Sequence, residues 1–198
     1  MDGHDNFRDI GNGQPLKLFY KRICRNIQPL GEIIPDGIRQ FCVEVEDIRD
    51  KVDVVLELLE ILSFEQTVIF CNSQRNVELI YEQLKNKFAV SQIYEGMNEQ
   101  DLKGAMKEFI DNRSRVLITT DIISQGIHIH QVKFVINYDL PIEIEQYIHR
   151  VGHAVQYGKK SIAVNIVSES DVDQLQNIMW FYQTQIDVLL EDFVKLLD

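Results

Sequence analysis

Short apolar runs alternate with segments of helical period from Gly37 onward, and that alternation limits the fold more than any other feature of the chain. Ile38 to Val45 alternates like a strand, and Thr67 to Cys71, Ala89 to Tyr94, Val116 to Thr120, Val132 to Tyr138 and Ser161 to Val167 are compact runs of strand length. Between them the spacing predicts helices over Lys51 to Leu62, through Val77, Ile80, Tyr81 and Leu84, and over Glu99 to Ile110, Glu143 to Arg150 and Asp171 to Tyr182. In the first of these, Val52, Val55, Leu56, Leu59 and Leu62 form the expected buried stripe. Strands that are apolar throughout are covered on both faces, and helices between them supply the crossovers. The pattern therefore predicts an α/β fold with a doubly wound, mostly parallel sheet. In such sheets ligands meet the loops leaving the carboxyl ends of the strands, here 72–75, 96–98, 121–130 and the segment after Asp139.

Residues 1–36 read differently. Gly3, Gly11, Gly13, Pro15, Pro29, Gly31 and Pro35 interrupt them too often for a continuous element, so they are expected to form an arm or linker ahead of a domain over 37–198. Leu16, Phe19, Tyr20, Ile23 and Ile27 lie beside Lys17, Lys21, Arg22 and Arg25. The expectation is a solvated linker that packs a few apolar side chains, with contact to RNA or a partner as the alternative. Cys24, Cys42 and Cys71 are odd in number and contain no C-x-x-C, which argues against a disulfide framework or a cysteine-rich zinc site and suits a reducing compartment. There is no apolar run of membrane-spanning length, and the first residues lack the pattern of a secretory leader. The net charge is −11, and residues 41–198 hold 14 basic against 26 acidic side chains. Such a body repels a polyanion unless its cations gather on one face.

Four motifs carry a resemblance. Val68-Ile69-Phe70-Cys71-Asn72, Val116-Leu117-Ile118-Thr119-Thr120-Asp121, Val135-Ile136-Asn137-Tyr138-Asp139-Leu140-Pro141 and Tyr147-Ile148-His149-Arg150-Val151-Gly152 occur in this order, with Phe181-Tyr182-Gln183-Thr184-Gln185-Ile186 near the end. Together they resemble the C-terminal, RecA-like domain of DEAD-box RNA helicases, nearest to the translation initiation factor 4A group. In that family a first domain supplies the phosphate-binding loop and the D-E-A-D motif, and ATP and RNA lie between the two domains. This sequence contains neither G-x-x-x-x-G-K-[ST] nor D-E-A-D. The stretch from Gly152 to Lys160 has the wrong spacing, and lies between a helix and a strand in the order opposite to a phosphate loop. The resemblance thus implies no bound cofactor, with ATP and magnesium entering only if a first RecA-like domain is supplied elsewhere.

The departures from the family pattern bear on activity. Ser124-Gln125-Gly126-Ile127-His128 stands where the family reads A-R-G-I-D, so Gln125 replaces an RNA-facing arginine and His128 an ATP-facing aspartate. His149-Arg150-Val151-Gly152-His153-Ala154-Val155-Gln156 stands where the family reads H-R-I-G-R-x-x-R, so His153 and Gln156 replace the two arginines that reach the triphosphate. Neither side chain supplies the charge or the planar fork of a guanidinium, and one such arginine is worth roughly 10³ to 10⁵ in rate. The family's RNA-contacting Q-x-x-R becomes Glu99-Gln100-Asp101-Leu102. Asn72, Arg75, Thr120 and Gly126 remain as candidate RNA-facing positions. Each also has a structural reading: Asn72 and Thr119-Thr120-Asp121 suit strand ends, and Arg150 suits an internal ion pair with Asp121 or Asp139.

His128, His130, His149 and His153 raise the question of a zinc site, but drift at an abandoned nucleotide site accounts for the same residues, and no metal is expected. No catalytic residue is assigned. The implied function is a degenerate helicase domain acting as a non-catalytic interaction module in translation or RNA metabolism. Its implied partners are a protein scaffold such as a helical-repeat protein, or a ribonucleoprotein complex, with weak RNA binding and no membrane. The implied location is the cytoplasm, with the nucleus as alternative. One half of a split or truncated ATP-dependent RNA helicase, and a simple RNA-binding module, are the rival readings.

Overall fold

The computed structural model describes residues 34, 37–62, 65–122, 132–154 and 161–189. Apart from Ile34, the arm predicted over residues 1–36 lies outside them. The described strands are β1 (Ile38–Glu44), β2 (Thr67–Phe70), β3 (Val90–Ile93), β4 (Val116–Thr119), β5 (Phe134–Asn137), β6 (Ser161–Val167) and β7 (Asp187–Val188). The helices are α1 (Lys51–Ile61), α2 (Gln74–Leu84), α3 (Glu99–Ile110), α4 (Ile144–Gly152) and α5 (Val172–Tyr182). All described strand pairs are parallel, in the order β3-β4-β2-β5-β6-β1-β7. The doubly wound parallel α/β sheet is therefore as the alternation of runs predicted.

Period-2 alternation sends successive residues of each strand to opposite faces. Ile69, Ile118, Ile136 and Val164 point to the layer made by α1 and α2, where Val55, Leu59, Val77 and Ile80 meet them. Val68, Leu117 and Val135 meet Met106 and Phe109 of α3 on the other face, and Ala163 and Val167 meet Tyr147 of α4 and Leu175 and Ile178 of α5. Local chemistry fixes where the helices begin. Ser73 and Asn98 accept the backbone N–H of Asn76 and Asp101 at the starts of α2 and α3, and Ser168 with Asp171 forms a capping box ahead of α5. Gln183 ends α5 in the left-handed region, at φ 51°.

Two readings of the sequence are corrected. β7 was not expected; it is two residues long and pairs with β1 through Phe41 and Cys42, too short to leave a periodic signal. The buried stripe of α1 keeps Val55, Leu59 and Leu62 of the predicted set but is centred to one side of it. Lys51, Val54, Val55, Leu58 and Leu59 face the sheet, while Val52 and Leu56 are only partly buried. The reason is Lys51, which is 1% exposed and turns the first residue of the helix inward. Its ammonium donates to the Tyr138 carbonyl at 3.1 Å and to Asp171 Oδ2 at 3.0 Å, and lies 5.7 Å from the centre of the Tyr138 ring.

This contact ties α1 to the carboxyl end of β5 and to the turn before α5. Burial pushes the Asp171 carboxyl up, but the Ser168 backbone N–H and the Lys51 ammonium outweigh it and hold the group below its ordinary value. A carboxyl depressed in the folded state stabilises above its unfolded pKa, and that contribution is lost as pH falls through the folded value. Asp171→Asn is therefore expected to lower Tm at neutral pH, with the gap to the parent protein closing as pH falls through the carboxyl's lowered folded value. Lys51→Met, which leaves the Tyr138 carbonyl and Asp171 without their donor, is expected to cost about 2–3 kcal/mol in urea denaturation.

Candidate functional site

The carboxyl ends of β2, β4 and β5 lie side by side, so Asn72, Thr120-Asp121 and Tyr138-Asp139 form one edge of the sheet. Arg150, on the last turn of α4, reaches beneath that edge and is 0% exposed. Its Nε and Nη2 donate to the two oxygens of Asp121 at 2.6 and 2.7 Å, a bidentate pair. Nη2 also donates to Asn72 Oδ1 at 2.7 Å, and Nη1 to the Asp139 carbonyl at 2.6 Å and to Asn137 Oδ1 at 3.5 Å. A guanidinium has five N–H donors, and these five bonds use all of them. Its plane lies 5.3 Å from the centre of the Phe70 ring, and the His153 ring stacks on the same Phe70 at 5.8 Å.

The open choice between Asp121 and Asp139 is thereby resolved. Asp121 takes the guanidinium through its carboxylate, whereas Asp139 offers only its carbonyl. The Asp139 carboxylate instead accepts the Asn72 backbone N–H at 2.9 Å and Asn76 Nδ2 at 2.8 Å. Asn72 Nδ2 in turn donates to the Leu140 carbonyl at 2.7 Å. The Asn72 amide thus spends its oxygen and one N–H on the fold.

Other candidates are scattered. Arg75 is exposed in the first turn of α2, and His149 is exposed on α4. Thr120 Oγ1 is buried with no hydrogen-bond partner among the described residues. Glu99, at the start of α3, is exposed and paired with Lys103, while Leu102 packs partly buried against the α3 cluster. Gln125, Gly126, His128, His130 and Gln156 lie outside the described residues. Among the described residues no group of three or more His, Cys, Asp or Glu is placed to hold a metal.

The chemistry available along this edge is limited. Burial pushes the Cys71 thiol well above its ordinary value, which makes it a packed hydrophobe and not a nucleophile. Burial, with Asp139 and Cys71 nearby, pushes the Tyr138 phenol up to about 12. At the end of β1, burial and the charges of Glu169 and Glu46 raise the Glu44 carboxyl, so that corner is acidic. Asn137 and Tyr147 stand in the quoted motifs without an assigned role, and Asn165 and Lys51 were not singled out. The two asparagines did leave a trace, as amides interrupting strands that are otherwise apolar; Lys51 looked like any surface lysine.

Because Arg150 holds three chain segments through a planar fork, a lysine cannot replace it. Arg150→Lys is expected to destabilise the domain by about 3–5 kcal/mol in urea denaturation, while Arg75→Lys on the exposed α2 surface stays within about 0.5 kcal/mol.

Comparison with known proteins agrees with this geometry. Residues 50–158 match the helicase conserved C-terminal domain family. The chain is 41% identical over 181 residues to the ATP-dependent RNA helicase eIF4A of Saccharomyces cerevisiae strain YJM789, an alignment that covers 91% of this chain and 46% of that protein. The chain thus spans about half the length of the curated relatives it matches. Among solved structures, Saccharomyces cerevisiae Dbp5 bound to RNA and ADP BeF3 superposes with a TM-score of 0.75 at 26% identity, covering 94% of this chain and 51% of that one. The C-terminal domain of a Dbp5 variant, bound to a Gle1 variant and IP6, gives 0.72 at 28% identity and covers 80% and 97%. The matched residues include the β2, β4 and β5 ends and the Arg150 pair, and the chain belongs to the helicase conserved C-terminal domain family, as a DEAD-box helicase C-terminal domain close to eIF4A.

Proposed function

We propose that this domain is a non-catalytic interaction module in translation or RNA metabolism, docking on a protein scaffold or ribonucleoprotein complex and meeting RNA weakly. The observation that carries the reading is the state of the motif around Arg150. Its retained arginine is enclosed, with every donor engaged by Asp121, Asn72, Asp139 and Asn137. Where the resemblance implies an arginine reaching a triphosphate, His153 is partly buried and stacked on Phe70. Gln156 stands at the second such position. A terminal phosphate gathering charge needs cations aimed at it, and this donor set does not fit that task. The Dbp5 C-terminal domain bound to Gle1 supports the idea that a unit of this size can serve as a protein-binding partner. The cytoplasm is the location that suits such work, with the nucleus as the alternative.

A second reading, one half of an ATP-dependent RNA helicase, is favoured by the intact clamp at the strand ends and by the RNA and ADP BeF3 bound to Dbp5. Phosphate release with saturating RNA and a separately added first domain from a relative distinguishes the two. The expected rate is that of the added domain alone, and turnover comparable to an intact relative would overturn the proposal. His153→Arg combined with Gln156→Arg is expected to raise any residual rate by at least about tenfold.

RNA affinity follows from charge. Arg75 is exposed, but Glu99 and the Glu44, Glu46 and Glu169 corner carry the opposite sign. The slope of log affinity against log salt on single-stranded RNA is about −0.7 per phosphate neutralised. Titrations at two salt concentrations are expected to correspond to one or two phosphates, falling by about one on Arg75→Glu. A slope several times steeper, unaffected by that change, would place the RNA surface elsewhere.

A further inference from the structure

The β5 and β6 residues Phe134, Ile136, Ile162, Val164 and Ile166 form a fully apolar face toward α1 and α2, yet the opposite face of the same strands carries Asn137 and Asn165. With Gln40, Tyr147 and Arg150, these asparagines are at most 6% exposed, and all five belong to one hydrogen-bonded chain. Arg150 Nη1 donates to Asn137 Oδ1 at 3.5 Å, Asn137 Nδ2 to Asn165 Oδ1 at 2.9 Å, and Asn165 Nδ2 to the Tyr147 hydroxyl at 3.2 Å. Tyr147 then donates to Gln40 Oε1 at 2.8 Å, and Gln40 Nε2 to Thr184 Oγ1 at 2.5 Å.

Every link donates in the same sense, away from the guanidinium and toward Thr184. Hydrogen bonds aligned head to tail in a low-dielectric interior polarise one another, and this series begins at a fixed positive charge. Burial holds the Tyr147 phenol far above its ordinary value, so its hydroxyl remains a donor across neutral pH. Both ends reach the surface. Thr184 is partly exposed between α5 and β7, and Asn72 and Asp121 border the strand-end face. Register alone does not account for the arrangement, because Asn137 opposite Asn165 in the β5–β6 ladder would suffice for that. Tyr147, Gln40 and Thr184 extend the series along the same face, across β1 toward the β7 edge of the sheet.

We propose that this relay couples the Thr184 corner to the Arg150–Asp121 pair. Tyr147 is then a positioning residue. Through Asn165 and Asn137 it orients the guanidinium that holds Asn72 and Asp121, and a change at the Thr184 hydroxyl shifts the strand-end face. Linkage makes the effect reciprocal, so a ligand gripping Asn72 or Asp121 alters affinity at the Thr184 corner. The coupling stands whether or not the domain takes part in ATP hydrolysis.

The test reads the Arg150 Nε–H resonance and its exchange with solvent by nuclear magnetic resonance. Thr184→Val, which removes the hydroxyl at the far end, is expected to shift that resonance and the Asp121 amide and to speed Nε–H exchange severalfold. Thr184→Ser is expected to restore the parent spectrum, and Tyr147→Phe to give the larger shift. Ile166→Val, on the opposite face, serves as a control for general loosening. An Arg150 resonance unmoved by Thr184→Val, or moved equally by Ile166→Val, would overturn the proposal. If Tyr147→Phe fails to fold, the two Thr184 variants decide the matter.

Discussion

A guanidinium shut away from water must find an acceptor for each of its N–H groups, and the carboxyl edge of this sheet is arranged around that demand. Arg150 draws together Asp121 after β4, Asn72 after β2 and the carbonyl of Asp139 after β5, three segments far apart in sequence. Removing any acceptor would leave a buried charge short of a partner, which costs more than an ordinary hydrogen bond supplies. Lys51 does the same from the opposite face. The consecutive carbonyls of Tyr138 and Asp139 are taken by Lys51 and Arg150, so the end of β5 is held between two buried cations. The helices α1 and α4 are anchored to one strand end in this way.

The same enclosure supports the proposed function. A side chain whose donors are all engaged by its own fold has none to offer a phosphate without breaking the structure that holds it. The motif around Arg150 therefore reads as architecture, and the chemistry of the face depends on what surrounds it: His153 on Phe70, an exposed Arg75, and acidic groups at the ends of β1 and β6. Under the proposed reading, such an edge serves recognition of a partner by shape and polar contacts and not the stabilisation of developing charge.

Much of the architecture was legible because it rests on pattern. The limits of α3 and β6 coincide with those predicted, since both are bounded by cap or turn residues and have an unambiguous period. The stripe of α1 was legible at Val55, Leu59 and Leu62 but not at Lys51, because a buried lysine carries no apolar signature, and burial of its ammonium is arranged by Tyr138 and Asp171, 87 and 120 residues away. β7 was missed because a two-residue strand exists only through pairing with β1. Of the candidate site, the motif residues were found by resemblance. For Arg150 the sequence left Asp121 and Asp139 open as partners, because an arginine on a helix looks the same in sequence whichever carboxylate its fork meets.

What the amino-acid sequence determined by itself is the set of local periods, the sign of the net charge, and the chemical identity of the groups along the loops, including the absence of arginine at His153 and Gln156. These follow from each residue and its near neighbours. Tertiary structure decided which polar groups are satisfied by one another: the choice of Asp121 over Asp139 for Arg150, the inward turn of Lys51, and the aligned series from Arg150 to Thr184. Each joins residues on different strands and helices, and a buried polar group is worth or costs free energy according to a partner that only the closed fold brings within reach.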